Sequence, residues 1–187
     1  MNRRRDFIGR MASGLREIWS AAGNVFLFIL ITLAFHFIWK IFQEQIEQAA
    51  VIVFLGDWFA TRAYNVADWI QQHLLGMTYA TADPNVFKFP GKGSIIINES
   101  CSGLKQFYQV LVLFLIFPGP WRHKAWFIPV SLLIMYWTNI FRVVMLSLVM
   151  AYIPQHWDFT HDWVLRPFFY VVLFALWIWW VEKVARR

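Results

Sequence analysis

The chain has 187 residues, of which 59% are hydrophobic, and it contains 12 tryptophans and 19 phenylalanines. A soluble domain of this length has too small an interior for so many large apolar side chains, so the composition predicts an integral membrane protein. The formal net charge is +6, but the basic residues lie mostly beside the ends of apolar segments. That placement is typical of membrane orientation signals and argues against nucleic-acid binding.

Four apolar segments are candidate transmembrane helices, because a helix needs about 20 mostly apolar residues to cross the hydrocarbon of a bilayer. They cover about residues 24–42, 104–117, 126–153 and 163–181. The second is short and ends at Pro118-Gly119-Pro120, where a helix cannot continue. The sequence therefore predicts an all-α membrane protein with about four transmembrane helices, which form a single integral membrane domain over residues 1–187.

The charges beside these segments predict the side of the membrane on which each end lies. The N-terminal segment, the loop between the second and third spans and the C-terminal tail together hold ten basic and three acidic residues. Residues 43–100 and 152–162 hold three basic and eight acidic residues. Because basic residues stay on the cytoplasmic side, both chain ends are predicted to be cytoplasmic. The first apolar segment is long and no clear A-x-A cleavage site follows it, so we expect a retained signal anchor.

The outer segment, residues 43–103, is predicted to contain a helix and a small β-hairpin. From Asp57 to Leu75 apolar residues recur with helical periodicity, which predicts an amphipathic helix that lies in the membrane interface or packs on the spans. Two strand-like runs, 86–89 and 94–97, flank Pro90-Gly91-Lys92-Gly93, a pattern typical of a hairpin. The hairpin ends just before Glu99.

Cys101 is the one cysteine of the chain, which excludes an intrachain disulfide, a paired-thiol redox motif and a thiolate-rich zinc site. It lies where the second span begins and is followed by Ser102 and Gly103. The positive end of a helix and its unpaired N–H groups stabilise a thiolate, which is the nucleophilic form. A glycine beside it would let a substrate backbone approach closely. A buried structural cysteine is the alternative.

Arg142 lies inside the third span, about 15 Å from the outer end of that span at 1.5 Å per residue. A charge inside the bilayer is costly and usually faces an internal cavity with a partner, so a functional role is expected. Asn139 precedes it by three residues and shares its helix face. The alternative is a structural arginine that pairs with Glu99 or Asp162, or that extends outward.

Two histidines and two carboxylates precede the fourth span, namely His156, Asp158, His161 and Asp162. Such a cluster could bind a metal or supply an acid and a base, although two histidines at this spacing in a loop are a weak indication of a metal site. His161 is next to the start of the fourth span and is best placed to reach Cys101, with His156 as the reserve candidate.

The outer ends of the second, third and fourth spans can converge in one helix bundle, which would bring a thiol, a guanidinium and an imidazole together. Cysteine would supply the attacking thiolate, and histidine would transfer protons. Arginine, which is always charged, would donate to the oxygen that becomes negative during acyl transfer.

With these motifs the sequence resembles the exosortase/archaeosortase family of membrane cysteine transpeptidases. The matching motifs are Cys101-Ser102-Gly103, Asn139-x-x-Arg142 and His161-Asp162, in that order, with Glu99 where a glutamate often precedes the cysteine. There are two departures from the family pattern. A glycine usually follows the histidine after a few residues, whereas Trp163-Val164-Leu165-Arg166 follows here, and larger members have more spans.

The resemblance implies a protease–transpeptidase in the bacterial cytoplasmic membrane, with its active site on the extracytoplasmic side and no metal or organic cofactor. Cys101 would be the nucleophile, Arg142 would stabilise the oxyanion and His161 would transfer protons. Its partners would be membrane lipids and exported proteins that carry a C-terminal sorting signal with a transmembrane helix. The supporting residues would be Glu99, Ser102, Gly103, Asn139 and Asp162.

Two other functions remain open from the residues. One is a non-enzymatic membrane scaffold in polysaccharide or protein export, in which Cys101 and Arg142 are structural. The other is a lipid acyltransferase that uses the same thiol.

Overall fold

The computed structural model describes the backbone of residues 2–82 and 84–184, and the side chains of residues 22–46, 48–82, 84–99 and 101–184. Within them the chain is mostly helical, with one small antiparallel sheet. The helices are α1 (Asn2–Gln48), α2 (Ala50–Trp69), α3 (Leu104–Ile116), α4 (Trp121–Tyr152), α5 (Trp157–Phe159) and α6 (Arg166–Trp179). The strands are β1 (Ala80–Ala82), β2 (Val86–Phe89) and β3 (Gly93–Ile96). Short 3₁₀ or π-helical turns cover Ile70–Leu74, Glu99–Cys101, Pro154–His156, Thr160–Leu165 and Trp180–Val184.

Three helical segments of the described chain are long and apolar enough to cross a membrane, as expected for a multi-pass integral membrane protein. They are Ala22–Ile46, Trp121–Tyr152 and Pro154–Val184. They contain nearly all of the first, third and fourth predicted spans and extend further at most ends. The last one is a continuous helical run in which α5 and two π-helical turns join α6.

The second predicted span corresponds to α3, which has 13 residues. At 1.5 Å per residue it is about 20 Å long, shorter than the roughly 30 Å of a bilayer's hydrocarbon. Both of its ends are hydrogen-bonded to α4. The Asn139 Nδ2 donates to the Cys101 carbonyl just before α3, at 2.9 Å, and the Lys124 Nζ donates to the Leu115 carbonyl near its end, at 2.9 Å. A total of four spans therefore stays a prediction.

The interior of the helical bundle is built around one face of α3. Its buried residues Phe107, Val110 and Phe114 recur at helical spacing and belong to one hydrophobic cluster with residues of α1, α4 and α6. The Phe114 ring lies edge-on to Phe127 of α4, with 4.9 Å between ring centroids. Tight aromatic packing at this depth fixes the direction in which α3 points its N-terminus, and so the position of the residues before it.

The predicted hairpin is present as β2 and β3, and β1 adds a third strand that the sequence analysis missed. The strand order is β1-β2-β3, all antiparallel, so that β1 and β3 are the two edges of the sheet. One face of the sheet, with Phe87, Phe89 and Ile95, is buried against the C-terminal part of α4. Tyr79, just before β1, donates to the Asp68 carboxylate of α2 at 2.7 Å, and burial together with this bond raises the pKa of the phenol.

The predicted apolar stripe of the outer helix agrees only in part with the face that is buried. Of the predicted residues, Ala63 is fully buried and Phe59, Val66 and Ile70 are half-buried. Trp58, Trp69 and Leu74, which also belong to that stripe, are 47%, 53% and 67% exposed. The buried face consists of small residues, because α2 packs closely on α4 and only short side chains fit between two helices at that distance. These residues are Gly56, Ala60, Ala63 and Ala67.

Candidate functional site

Cys101 is the last residue of a short 3₁₀ turn that connects β3 to α3. The Ser102 hydroxyl closes this turn, since it donates to the Glu99 carbonyl at 2.6 Å and accepts from the Leu104 N–H at 3.1 Å. The thiol is partly buried and lies just before the N-terminus of α3. Its surroundings are therefore those of the positive end of a helix, which stabilise a thiolate.

Gly103 and Asn139 hold the backbone that carries the thiol. Gly103 has φ +79°, and a Cβ on it would lie 3.1 Å from Cγ of Asn139. Asn139 is 1% exposed, and its amide donates to the Cys101 carbonyl. The glycine thus permits both the left-handed backbone and the close approach of the asparagine, which fixes the orientation of the turn.

Glu99 packs against α2 and forms no ion pair with Arg142 among the described residues. A Cβ on Gly56 would lie 3.0 Å from the Glu99 Cγ, so the glutamate stem rests on that glycine. The ion pairs of the described chain join Asp162 to His161 and to Arg166. A structural pairing of Arg142 with Glu99 or Asp162 is therefore not found in this part of the molecule.

Arg142 is buried in α4, with 6% of its surface exposed, and its Nη2 lies 3.1 Å from Nε2 of His161. Because a guanidinium has donors and no acceptor, Nε2 of the imidazole must accept this bond. The guanidinium carbon also lies 5.7 Å from the Phe169 ring centroid. The buried cation is thus held between the histidine and an aromatic ring.

Two further contacts orient His161, one at its other ring nitrogen and one on a face of the ring. Its Nδ1 lies 2.6 Å from Oδ1 of Asp162, and because Nε2 is an acceptor, Nδ1 carries the proton and donates it to the carboxylate. The same Asp162 oxygen accepts from Arg166 at 3.1 Å. The Trp157 ring stacks on the imidazole with 7° between planes. The result is a histidine whose Nε2 lone pair faces Arg142.

Cys101, Arg142 and His161 line one cavity of about 640 Å³. The structure thus brings together the three side chains that the sequence analysis selected for catalysis, whose roles stay predictions. His156 is exposed and is not among the residues that line this cavity. The reserve histidine therefore lies apart from the thiol.

The sequence analysis missed several residues of the cavity wall. Lys105 and Arg166 add positive charge to that of Arg142, and no carboxylate lines the cavity among the side chains that the structure describes. From α1, the cavity is lined by His36, Trp39 and Gln43. Only Arg166 had a detectable signal, because it follows Asp162 by four residues and such pairs meet on one helix face.

In a comparison with known families, a family model described as a transmembrane exosortase (Exosortase_EpsH) matches residues 12–180. This match confirms the resemblance inferred from the motifs. Comparison with curated proteins gives no significant match, and neither does comparison with solved structures.

Proposed function

Because the chain belongs to the transmembrane exosortase family, we propose that it is a membrane cysteine peptidase and transpeptidase that cleaves C-terminal sorting signals from exported proteins. The observation that carries this proposal is that Cys101, Arg142 and His161 line one cavity. A thiol, a buried guanidinium and an oriented imidazole are the groups that acyl transfer requires.

In the first step His161 takes the proton of Cys101, and the thiolate sulfur attacks the carbonyl carbon of a substrate peptide bond. The carbonyl oxygen becomes an oxyanion, which Arg142 stabilises. His161 then gives its proton to the leaving nitrogen as the carbon–nitrogen bond breaks. The C-terminal fragment leaves as an amine, and the remaining protein is held on Cys101 as a thioester.

In the second step an acceptor nucleophile or water loses its proton to His161 and attacks the thioester carbon. The carbon–sulfur bond breaks, and the proton returns to the Cys101 thiolate. Transfer to an acceptor gives a new covalent product, and transfer to water gives hydrolysis. The two steps balance in atoms, electrons and protons without an oxidant, metal or organic cofactor.

The 3.1 Å contact between Arg142 and Nε2 of His161 gives the guanidinium two uses in this cycle. In the resting state an arginine N–H occupies the Nε2 lone pair of His161. When a substrate binds, its carbonyl oxygen offers this N–H another acceptor, which becomes stronger as the oxyanion forms. We infer that Arg142 turns from the histidine to the carbonyl oxygen on substrate binding, which frees Nε2 to take the proton of Cys101.

The proposal includes a location. We propose that the thiol lies on the extracytoplasmic side of the bacterial cytoplasmic membrane, because basic segments are retained on the cytoplasmic side. A substrate would arrive there after export, still anchored by its own transmembrane helix.

The first test compares the C-terminal tails of exported proteins in cells that carry wild-type protein, Cys101→Ala, His161→Ala or His156→Ala. We expect tailed precursors to accumulate in the Cys101→Ala and His161→Ala cells, because each variant lacks a group that the reaction needs. His156→Ala is the matched control and should process normally, since His156 does not line the cavity.

Normal processing in Cys101→Ala cells that contain the variant protein at wild-type levels would overturn the proposal. Mass spectrometry of Cys101 in the wild-type protein gives a second readout. A peptide-derived acyl group supports the transpeptidase, whereas a lipid-derived acyl group would support a lipid acyltransferase.

A further inference from the structure

β3 has one unpaired edge, and the register of the sheet shows which backbone groups lie on it. The Ile97 N–H donates to the Asn85 carbonyl at 2.9 Å, which makes residues 85 and 97 a hydrogen-bonded pair. In an antiparallel ladder such pairs alternate with non-bonded ones. The pairs Phe87↔Ile95 and Phe89↔Gly93 are therefore also bonded. It follows that Ser94 and Ile96 direct their N–H and C=O groups away from β2.

These outward groups have no partner among the described residues. No backbone hydrogen bond of Ser94 or Ile96 beyond the β2–β3 ladder is present in that part of the chain. An unpaired strand edge of this kind is a template for another extended chain. Natural proteins usually protect such an edge with a lysine, a proline or a bulge, whereas β3 reads Gly-Ser-Ile-Ile.

The same edge leads into the cavity that holds the thiol. Ile96, Asn98 and Cys101 all line that cavity, and four residues separate the strand from the nucleophile. Ile96 is 57% exposed although it is a large apolar residue. The α1 residues His36 and Trp39 line the cavity too, so open space separates α1 from the end of β3.

We propose that the substrate segment next to the scissile bond binds as an added strand on the free edge of β3. This inference rests on the proposed function. Backbone groups of Ser94 and Ile96 would pair with the backbone of the extended substrate, and the exposed Ile96 side chain would contact one of its apolar residues. Recognition by backbone pairing supplies affinity with little dependence on sequence. The adjacent cavity would then select the residues at the cleaved bond.

A proline substitution tests the edge without removing a bond from the sheet. Ser94→Pro deletes an outward N–H, and proline is tolerated where the N–H of an edge strand faces away from the ladder. The matched control is Thr81→Pro on β1. Thr81 pairs with Phe87, whose own hydrogen bonds go to β3, so the Thr81 N–H also faces outward but at the opposite edge of the sheet.

The measured quantity is the rate at which tails are removed from the exported proteins that persist in Cys101→Ala cells. We expect Ser94→Pro to slow this rate by about fivefold or more, as for the loss of one backbone hydrogen bond with its partner left unpaired. Thr81→Pro should match wild type. Equal rates in the two proline variants would overturn the added strand. Normal processing in Cys101→Ala cells would instead overturn the proposed function, and the two failures are thus distinguishable.

A second measurement covers the case in which Ser94→Pro does not accumulate. A photoreactive benzoyl-phenylalanine is placed at position 94 or at position 81 of the Cys101→Ala protein, which binds substrate without cleaving it. We expect tailed precursors to crosslink to position 94 and not to position 81. Equal crosslinking, or none at position 94, contradicts the proposal.

Discussion

At Gly103, two independent constraints act on one residue beside the thiol. The backbone is left-handed at φ +79°, and the place of a Cβ lies 3.1 Å from the buried Asn139 amide. The first constraint concerns the local backbone, and the second concerns the distance between α4 and the turn. Both determine where Cys101 points, because Asn139 also binds the Cys101 carbonyl.

We therefore predict that Gly103→Ala loses activity out of proportion to its loss of stability. The left-handed backbone costs an alanine about 1 kcal/mol. The new methyl group also displaces Asn139, and a nucleophile shifted by a fraction of an ångström slows the reaction by about tenfold or more. Processing rate and thermal unfolding in detergent are the two measurements.

Gly91→Ala is the matched control for this variant. Gly91 has φ +72°, but nothing lies within 4 Å of its Cβ position. It should therefore show the backbone cost alone, with wild-type processing. If both variants process substrate at the same rate, the contact with Asn139 does not position the thiol.

Among the elements, α3 is the one whose stability depends most on a neighbouring helix, which is α4. It is short for a transmembrane helix, and its C-terminal carbonyls need partners where water is scarce. Lys124 of α4 supplies one, because its Nζ donates to the Leu115 carbonyl and the residue is only 4% exposed. The Nζ also lies 4.5 Å from the Trp121 ring centroid.

Replacement of Lys124 by methionine should destabilise the inner end of α3. The Leu115 carbonyl would lose a charged donor, which costs about 1.5–3 kcal/mol and lowers the unfolding midpoint by about 3–10 °C in a chain of this size. Arg122→Met is the control, since Arg122 lies in the same turn of α4 and is exposed. Thermal unfolding of both purified variants measures the difference, and equal midpoints would contradict the capping role.

The elements also show which features of the structure could be predicted from sequence patterns and which could not. Cys101, Arg142 and His161 were selected because a thiol, a charge and an imidazole stand out in apolar sequence, and the hairpin was predicted from its Pro-Gly turn. β1 was missed because Ala80–Ala82 has low strand propensity and is ordered by pairing with β2. The buried face of α2 was predicted only in part, since Ala63 is buried as expected, whereas Ala60 is buried in place of Trp58. Hydrophobicity does not report helix–helix distance, which favours small residues where two helices pack closely.

Cavity residues were missed for a related reason. His36 and Trp39 lie within a long apolar helix, and their sequence does not indicate which neighbour they face. Lys105 follows the Cys-Ser-Gly motif without any spacing that marks it as part of a site. Its position in the cavity wall is set by the rotation of α3, which the packing of Phe107 and Phe114 determines.

On the scale of the molecule, the length of α4 determines how deep the cavity lies. Its 32 residues extend about 48 Å, which exceeds the hydrocarbon thickness by about 18 Å. Near its C-terminal end Met150 packs against Gly93 of the sheet. The predicted topology puts Trp121 at the cytoplasmic surface, and Arg142 lies about 31 Å along the helix from it. The buried charge would then be near the outer boundary of the hydrocarbon, where we expect an exported peptide to be accessible.

The number of crossings decides on which side the C-terminus lies. Asn139 and Lys124, which bind the two ends of α3, are separated by about 22 Å along α4, so α3 accompanies α4 through most of the bilayer. Pro118 then reverses the chain beside Trp180, whose indole donates to the Pro118 carbonyl at 3.1 Å. This geometry favours α3 as a fourth crossing, in agreement with the excess of basic residues at both chain ends.

We therefore predict that reporters fused after residue 187 and before residue 1 are both cytoplasmic, whereas a reporter inserted at Gly91 in the β2–β3 turn is outside. Green fluorescent protein fluoresces when it stays in the cytoplasm but not when the standard export pathway carries it across the membrane. Alkaline phosphatase is active only outside, so the two reporters give opposite readouts at each site. An alkaline phosphatase signal at the C-terminus would mean that α3 enters and leaves on the same side. The turn that carries Cys101 would then still face outward, but the last helix would begin on the cytoplasmic side. His161, which lies at the start of that helix, would be on the other side of the membrane from Cys101. Since both side chains line one cavity, we expect fluorescence at both ends.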